Sequence, residues 1–302
     1  MQSKQPVVVY GVDHSPWVQG VRMALHQQGM PHVLKSVPFG PGWWLRRGLV
    51  FPAMRVGDGP VVTDSFRIYA ALQENGASLG VDRLSEAERV SAQVGLERMF
   101  TRYALGRCAN GKDWVFFHAW STMQETPATR TGAAVRGLLS LYFWVLIRIG
   151  IRLRTRRGLP AVDLVEIRSF LAPWNERLEH APWLTGDGLG FLDFALLGHL
   201  QCMASGPTDE LLPLVREFPA LMAWLDRMVK VLDDHRPVYV HRFLDDAAVG
   251  DDRKQTRRGW FWVGWWAGVL CWPLTLLLVL HALVVRNWNP GHSGAVTARA
   301  RR

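Results

Sequence analysis

The sequence predicts an α/β domain, then an all-α domain, then a single transmembrane helix. Three observations carry this expectation. The first 75 or so residues alternate short β-branched runs with one clear helical pattern. From Leu84 onward the strand signals stop and amphipathic helical spacing takes over. Near the C-terminus, Trp260 to Val285 contains no Asp, Glu, Lys or Arg, a length of roughly 39 Å as helix, more than the ~30 Å of bilayer hydrocarbon.

In chain order, Val7-Val8-Val9-Tyr10 is an uninterrupted apolar run of the kind buried on both faces of a sheet. Gly11 to Pro16 breaks it. Val18, Val21, Ala24 and Leu25 follow at helical spacing, with Gly29 placed to end the helix. His32 to Val37 reads as a second strand, parallel to the first through a right-handed crossover. Phe51 to Val62 reads as a hairpin about Gly57-Asp58-Gly59, and a helix is expected from about Asp64 to Gln73. Thr63-Asp64-Ser65 would open that helix with a side-chain cap, free N–H groups and a positive dipole end, a setting that favours a small anion. With Pro38 to Gly48 as a loop or irregular helix, the order β-α-β-(α)-β-β-α is a thioredoxin-like layout.

Within that layout the residues themselves resemble the N-terminal domain of the glutathione transferases. Ser15-Pro16-Trp17, followed by Val21-Arg22-Met23-Ala24-Leu25, is similar to the family's first helix. Phe51-Pro52 falls where the family has its cis-proline, and Asp64-Ser65 where it has an acidic-Ser pair. Farther on, Leu184-Thr185-Gly186-Asp187 and Gly190-Phe191-Leu192-Asp193-Phe194 resemble the segment that opens the buried helix of the family's all-helical domain. Gly190 stands at that segment's Ser/Thr position, which leaves only Asp193 of the reciprocal capping pair and predicts a weakened helix start. Phe218-Pro219-Ala220-Leu221, with Trp224, is similar to a late family helix, so the resemblance covers about residues 5–245.

The implied organisation is a glutathione-binding domain at 5–78, an all-helical domain at 84–245, a charged linker at 246–259, a transmembrane helix at 260–285 and a basic tail at 286–302. One further segment stands apart. Leu138 to Ile151 is strongly apolar and runs into Arg152, Arg154, Arg156 and Arg157. Its uncharged core, 137–147, is roughly 16 Å long, too short to span, so it is either a bundle helix or a helix lying on a membrane.

The resemblance implies a set of roles. Ser15 would donate its hydroxyl to the glutathione sulfur and favour the thiolate, with Tyr10 as the rival residue. The alternative for Ser15 is a plain helix cap ahead of Pro16. The backbone of Phe51, before Pro52, would pair with the cysteinyl backbone of glutathione, and Asp64 and Ser65 would hold its γ-glutamyl end. Arg46 or Arg47 would meet the glycyl carboxylate, although beside Trp43 and Trp44 they equally suit lipid or a partner.

Composition narrows the classes. The chain has 302 residues, a formal net charge of +9 and 49% hydrophobic residues. Its basic residues sit beside apolar segments and no nucleic-acid motif is present, so lipid, anionic in particular, is the better match for the charge than nucleic acid. Cys108, Cys202 and Cys271 make no CxxC and no zinc spacing; no metal is expected, and no cysteine sits at position 15 to support disulfide reduction. Trp260, Trp262, Trp265 and Trp266 crowd one end of the expected span and Trp288 marks the other. Arg253, Lys254, Arg257 and Arg258 precede it, which favours cytoplasmic main domains. The function expected is a membrane-anchored transferase that joins glutathione, its co-substrate, to hydrophobic small-molecule electrophiles. A homodimer is open. The competing class is a non-enzymatic, tail-anchored protein of the same fold that binds partners or lipids.

Overall fold

The computed structural model describes residues 7–11, 15–35, 52–99, 103, 162–204, 211–232 and 258–274, with 130, 133–135, 137–138, 140–142, 144–145, 148–149, 276–277, 280–281 and 284. The chain divides into two compact units, one made of residues 1–38, 50–103 and 162–250, the other of residues 39–49, 104–161 and 251–302.

In the first unit a four-stranded sheet is built from β1 (Val7–Tyr10), β2 (His32–Lys35), β3 (Ala53–Val56) and β4 (Val62–Thr63), in the order β2-β1-β3-β4. β1 is central because its side chains have no polar face to offer water: Val7 and Val9 are fully buried and Tyr10 nearly so. It pairs in parallel with β2 and antiparallel with β3, and β3 pairs antiparallel with β4. Helix α1 (Pro16–Gln27) makes the crossover between the parallel pair, and α2 (Ser65–Glu74) follows β4. The hairpin turn uses Gly57 at φ 51, a conformation that suits glycine. This is the expected thioredoxin-like α/β domain, followed by the expected helices.

Those helices are α3 (Glu86–Glu97), α4 (Leu164–His180), α5 (Phe191–Ala204), α6 (Leu211–Arg216) and α7 (Pro219–Val231). α3 begins with a capping box in which Ser85 and Glu88 satisfy each other's backbone N–H groups. Its Glu88 carboxyl is held below the usual carboxylate range, first by the Ser85 hydroxyl and backbone. α5 is apolar on all sides and buried along its length, as such a helix must be. It lies against α1 at two glycines. A methyl group on Gly198 would strike the carbonyl of Pro16 and approach the backbone N of Gly20 to 2.8 Å; one on Gly20 would approach the carbonyl of Phe194 to 2.9 Å. That close approach fixes the N-terminal end of α1, where Ser15 stands, against the most buried helix.

The weakened start expected for α5 is not found. Asp193 is buried and accepts from the backbone N–H of Leu184 (2.9 Å) and Gly190 (2.9 Å) and from the indole N–H of Trp224 (2.8 Å). Thr185 supplies a hydroxyl beside it, at 3.3 Å, from outside the helix. Burial pushes the Asp193 carboxyl upward, and these donors pull the other way.

In the second unit, α8 (Arg258–Leu270) packs on helical residues between 130 and 149. Leu141, Tyr142 and Val145 form a small buried cluster there, with Trp144, Ile149, Trp265 and Val269 against it. The described part of the 138–157 segment is therefore paired with α8. Its arginines at 152, 154, 156 and 157 lie outside the described residues.

The transmembrane helix expected at Trp260–Val285 is not supported. Among the described residues, no helix is long and apolar enough to cross a membrane. α8 has 13 residues, about 20 Å, against the ~30 Å required. It is interrupted by a turn at Cys271, where the Leu274 N–H bonds to the Cys271 carbonyl, and residues 272–274, 276–277, 280–281 and 284 are again helical. The cause lies at Pro273, which has no N–H to return to Val269. Hydropathy counts uncharged residues and is blind to that interruption. Residues 275, 278–279, 282–283 and 285 of the expected span lie outside the described residues.

Candidate functional site

The sheet register gathers the candidate residues of the first unit at one end. Tyr10, the last residue of β1, pairs with Ala53, the first of β3, and Ala53 pairs with Thr63, the last of β4. The residues just beyond those three positions, Gly11, Pro52 and Asp64, therefore lie at one end of the sheet, and Ser15 opens the helix that follows β1 there. A backbone bond ties two of them, from the Asp64 N–H to the Pro52 carbonyl at 3.3 Å. Pro52 is buried. The N-termini of α1 and α2 both open at this end, so two positive helix ends share it.

Ser15 is the N-cap residue of α1, in extended conformation, with Pro16 at the first helical position. Its carbonyl accepts the Gln19 N–H at 2.9 Å. Its side chain makes no capping hydrogen bond, although Ser at this position ordinarily supplies one. The plain-cap alternative thus loses its support, and the half-buried hydroxyl is left at a helix N-terminus. Tyr10 is 5% exposed and belongs to the core of the sheet.

Asp64 is the one described residue other than glycine with a positive φ, at 78°. That conformation is strained for a residue with a Cβ, by about 1–3 kcal/mol. The surroundings hold it there. Its Oδ1 accepts from the N–H groups of Phe66 (3.0 Å) and Arg67 (3.3 Å), capping α2, and its Oδ2 accepts from Gln93 Nε2 of α3 at 3.2 Å. Asp64 is thus first a capping and positioning residue, with one carboxylate oxygen turned from the helix. Ser65 follows as the first residue of α2, with 4% of its surface exposed. Gln93 escaped the sequence reading because nothing local to α3 marks it; its partner lies 29 positions earlier.

The remaining candidates, Phe51, Arg46 and Arg47, lie outside the described residues. Behind the site, His199 of α5 is fully buried, bonds through Nδ1 to the Ala195 carbonyl at 2.7 Å, and meets the Trp17 ring edge-on at 4.1 Å. Burial pushes its pKa down to about 3.

Two family models match parts of the chain. Residues 14–75 match the model of the glutathione S-transferase N-terminal domain, and residues 142–227 that of the glutathione S-transferase C-terminal domain. No curated protein matches the sequence. Among solved structures, glutathione S-transferase I bound with lactoylglutathione is 17% identical, with a TM-score of 0.43 over 79% of this chain and 98% of that one. Glutathione S-transferase I from maize, in complex with an atrazine glutathione conjugate, is 18% identical, with a TM-score of 0.44 over 76% and 95%. A possible glutathione S-transferase from Rhodopseudomonas palustris is 20% identical, with a TM-score of 0.43 over 74% and 94%. The two matched domains, in this order on one chain with a thioredoxin-like α/β layer followed by helices, support the glutathione S-transferase family for this protein.

Proposed function

We propose that the end of the sheet carrying Ser15, Pro52 and Asp64-Ser65 binds glutathione and directs its thiolate at hydrophobic electrophiles. The observation that supports this reading is the register Tyr10–Ala53–Thr63, which brings the ends of β1, β3 and β4 together where α1 and α2 begin, with Ser15 at the start of α1 making no side-chain capping bond. The γ-glutamyl carboxylate would take the Ser65 hydroxyl and backbone N–H, and the ammonium the outward oxygen of Asp64. The edge before Pro52 would pair with the cysteinyl backbone, as an added strand does. Arg46 or Arg47 would receive the glycyl carboxylate.

In the reaction the glutathione thiol loses its proton to solvent. The Ser15 O–H donates to the sulfur anion, and the positive end of α1 stabilises it. The thiolate forms a carbon–sulfur bond with the electrophile while the leaving group departs with the electron pair of the bond that breaks. Ser15 transfers no proton; its role is to hold the sulfur ionised and aimed.

The test is the pH dependence of turnover with a chromogenic aryl halide. Ser15→Ala should raise the apparent pKa of bound glutathione and lower kcat/KM by about tenfold or more, with little change in glutathione affinity. An unchanged profile would move the role away from Ser15. Glutathione binding with no turnover on any electrophile would favour the non-enzymatic class.

A further inference from the structure

The second unit presents an apolar face that a protein in water does not keep uncovered. α8 touches its helical partner through small residues. A methyl group on Gly264 would overlap the carbonyl of Ala134, one on Gly137 would overlap that of Phe261, and one on Gly268 would meet Leu141 and Leu138 at 2.8 and 2.9 Å. Contacts advance together along both chains, from Arg130 over Trp260, through Ala134 at Gly264, to Leu141 at Gly268, so the helical segments run parallel. The small residues let the two backbones approach closely and leave the bulky side chains of α8 on its other side.

That contact uses one side of α8, with Phe261 2% exposed. The other side is turned outward. Trp260, Val263, Trp266 and Leu270 recur three and four residues apart, and Leu270 is 83% exposed. Leu274, Leu277 and Val284 continue the row beyond the turn, all more than half exposed. No charged side chain interrupts it, since Trp260 to Val285 has none. Contiguous apolar surface of this kind marks an interaction site.

The fringe identifies the occupant. Arg130 lies over the Trp260 ring at 5.9 Å, so a guanidinium and an indole are paired where the outward row begins. Arg253, Lys254, Arg257 and Arg258 lead into α8 on a chain of net charge +9. Indole rings and arginines bordering an uncharged apolar strip match the headgroup and acyl zones of a membrane. A second protein copy would bring the same positive fringe against itself. We propose that this face lies in the plane of a bilayer with anionic head groups, its outward row set among the acyl chains and its glycine-packed side turned to the protein.

The test uses the full chain and two kinds of vesicle, phosphatidylcholine alone and phosphatidylcholine with about one third phosphatidylglycerol. The wild type should float with the anionic vesicles and at least tenfold less with the neutral ones. Val263→Glu with Leu270→Glu should abolish flotation and leave the thermal midpoint and glutathione binding unchanged, because both side chains already point outward. Brominated acyl chains should quench tryptophan emission in the wild type, and Trp266→Phe should remove part of that quenching. Wild-type protein that stays with the pellet beside anionic vesicles, or a double variant that floats as well as wild type, would overturn the proposal. So would a detergent-free dimer that the double variant converts to monomer, since the face would then belong to a second copy.

Discussion

The hydroxyl of Thr185 stands 3.3 Å from the carboxylate of Asp193, in the space that a side chain at Gly190 would have to enter. The same hydroxyl lies 2.7 Å from the Gly188 carbonyl, so its one proton is shared between two acceptors. A residue outside the helix thus does part of what a Ser or Thr at the cap would do. Thr185→Ala should lower stability by about 1 kcal/mol. Gly190→Ser should not help, although it restores the usual capping type, because its Cβ would also sit 2.7 Å from the Leu79 carbonyl. Denaturant unfolding of the two single variants and the double should be non-additive, with the double less unstable than the sum.

Asp193 itself is the stronger lever. Asp193→Ala would leave buried donors on Leu184, Gly190 and Trp224 without an acceptor, a loss of about 3 kcal/mol or more. Trp224→Phe removes only one donor and should lower stability less, by about 1–2 kcal/mol. Thermal unfolding of both variants checks the ranking.

His199 gives the acid limb of stability a defined sign. Its folded pKa is pushed down to about 3, against ~6.5 in the unfolded chain. Between those values the unfolded state binds the extra proton, so the folded state is fully favoured above about pH 6.5 and loses about 1.4 kcal/mol for each unit the pH falls. At pH 5 the loss is about 2 kcal/mol. His199→Gln should flatten this part of the stability–pH curve, measured by urea unfolding from pH 7 to pH 4.5.

Asp64 separates fold from ligand. Its φ of 78° is one that glycine adopts freely, and Gly replaces an N-cap at a loss of only a few tenths of a kcal/mol. Asp64→Gly should therefore melt close to wild type while binding glutathione at least tenfold more weakly. Asp64→Ala keeps the strain and loses the cap, and should be less stable than Asp64→Gly by about 1 kcal/mol. Calorimetry and glutathione titration on both variants would show the split.

Much of this architecture is legible in the residues. Val7–Tyr10 shows a central strand because it has no polar alternation, and Asp64-Ser65 shows a helix start because the capping chemistry is local. What the sequence hides is non-local. Gln93 reaches Asp64 from another helix, Thr185 replaces a missing cap from across a loop, and Ser15 looks like an ordinary cap until its hydroxyl is seen to make no such bond. The segment from Trp260 onward is harder to read for a different reason. Its composition reads as continuous, whereas a turn at Cys271 interrupts the helix ahead of Pro273, and its glycines are spent on pairing with residues 134–141.

Isothermal titration of the full chain with glutathione, for wild type and Ser65→Ala, tests the central claim most directly. Saturable one-site binding by the wild type, weakened at least tenfold in Ser65→Ala with an unchanged melting midpoint, is the predicted result. Absence of saturable binding by folded wild-type protein, or equal affinity in the two, would contradict the assignment of this sheet end to glutathione.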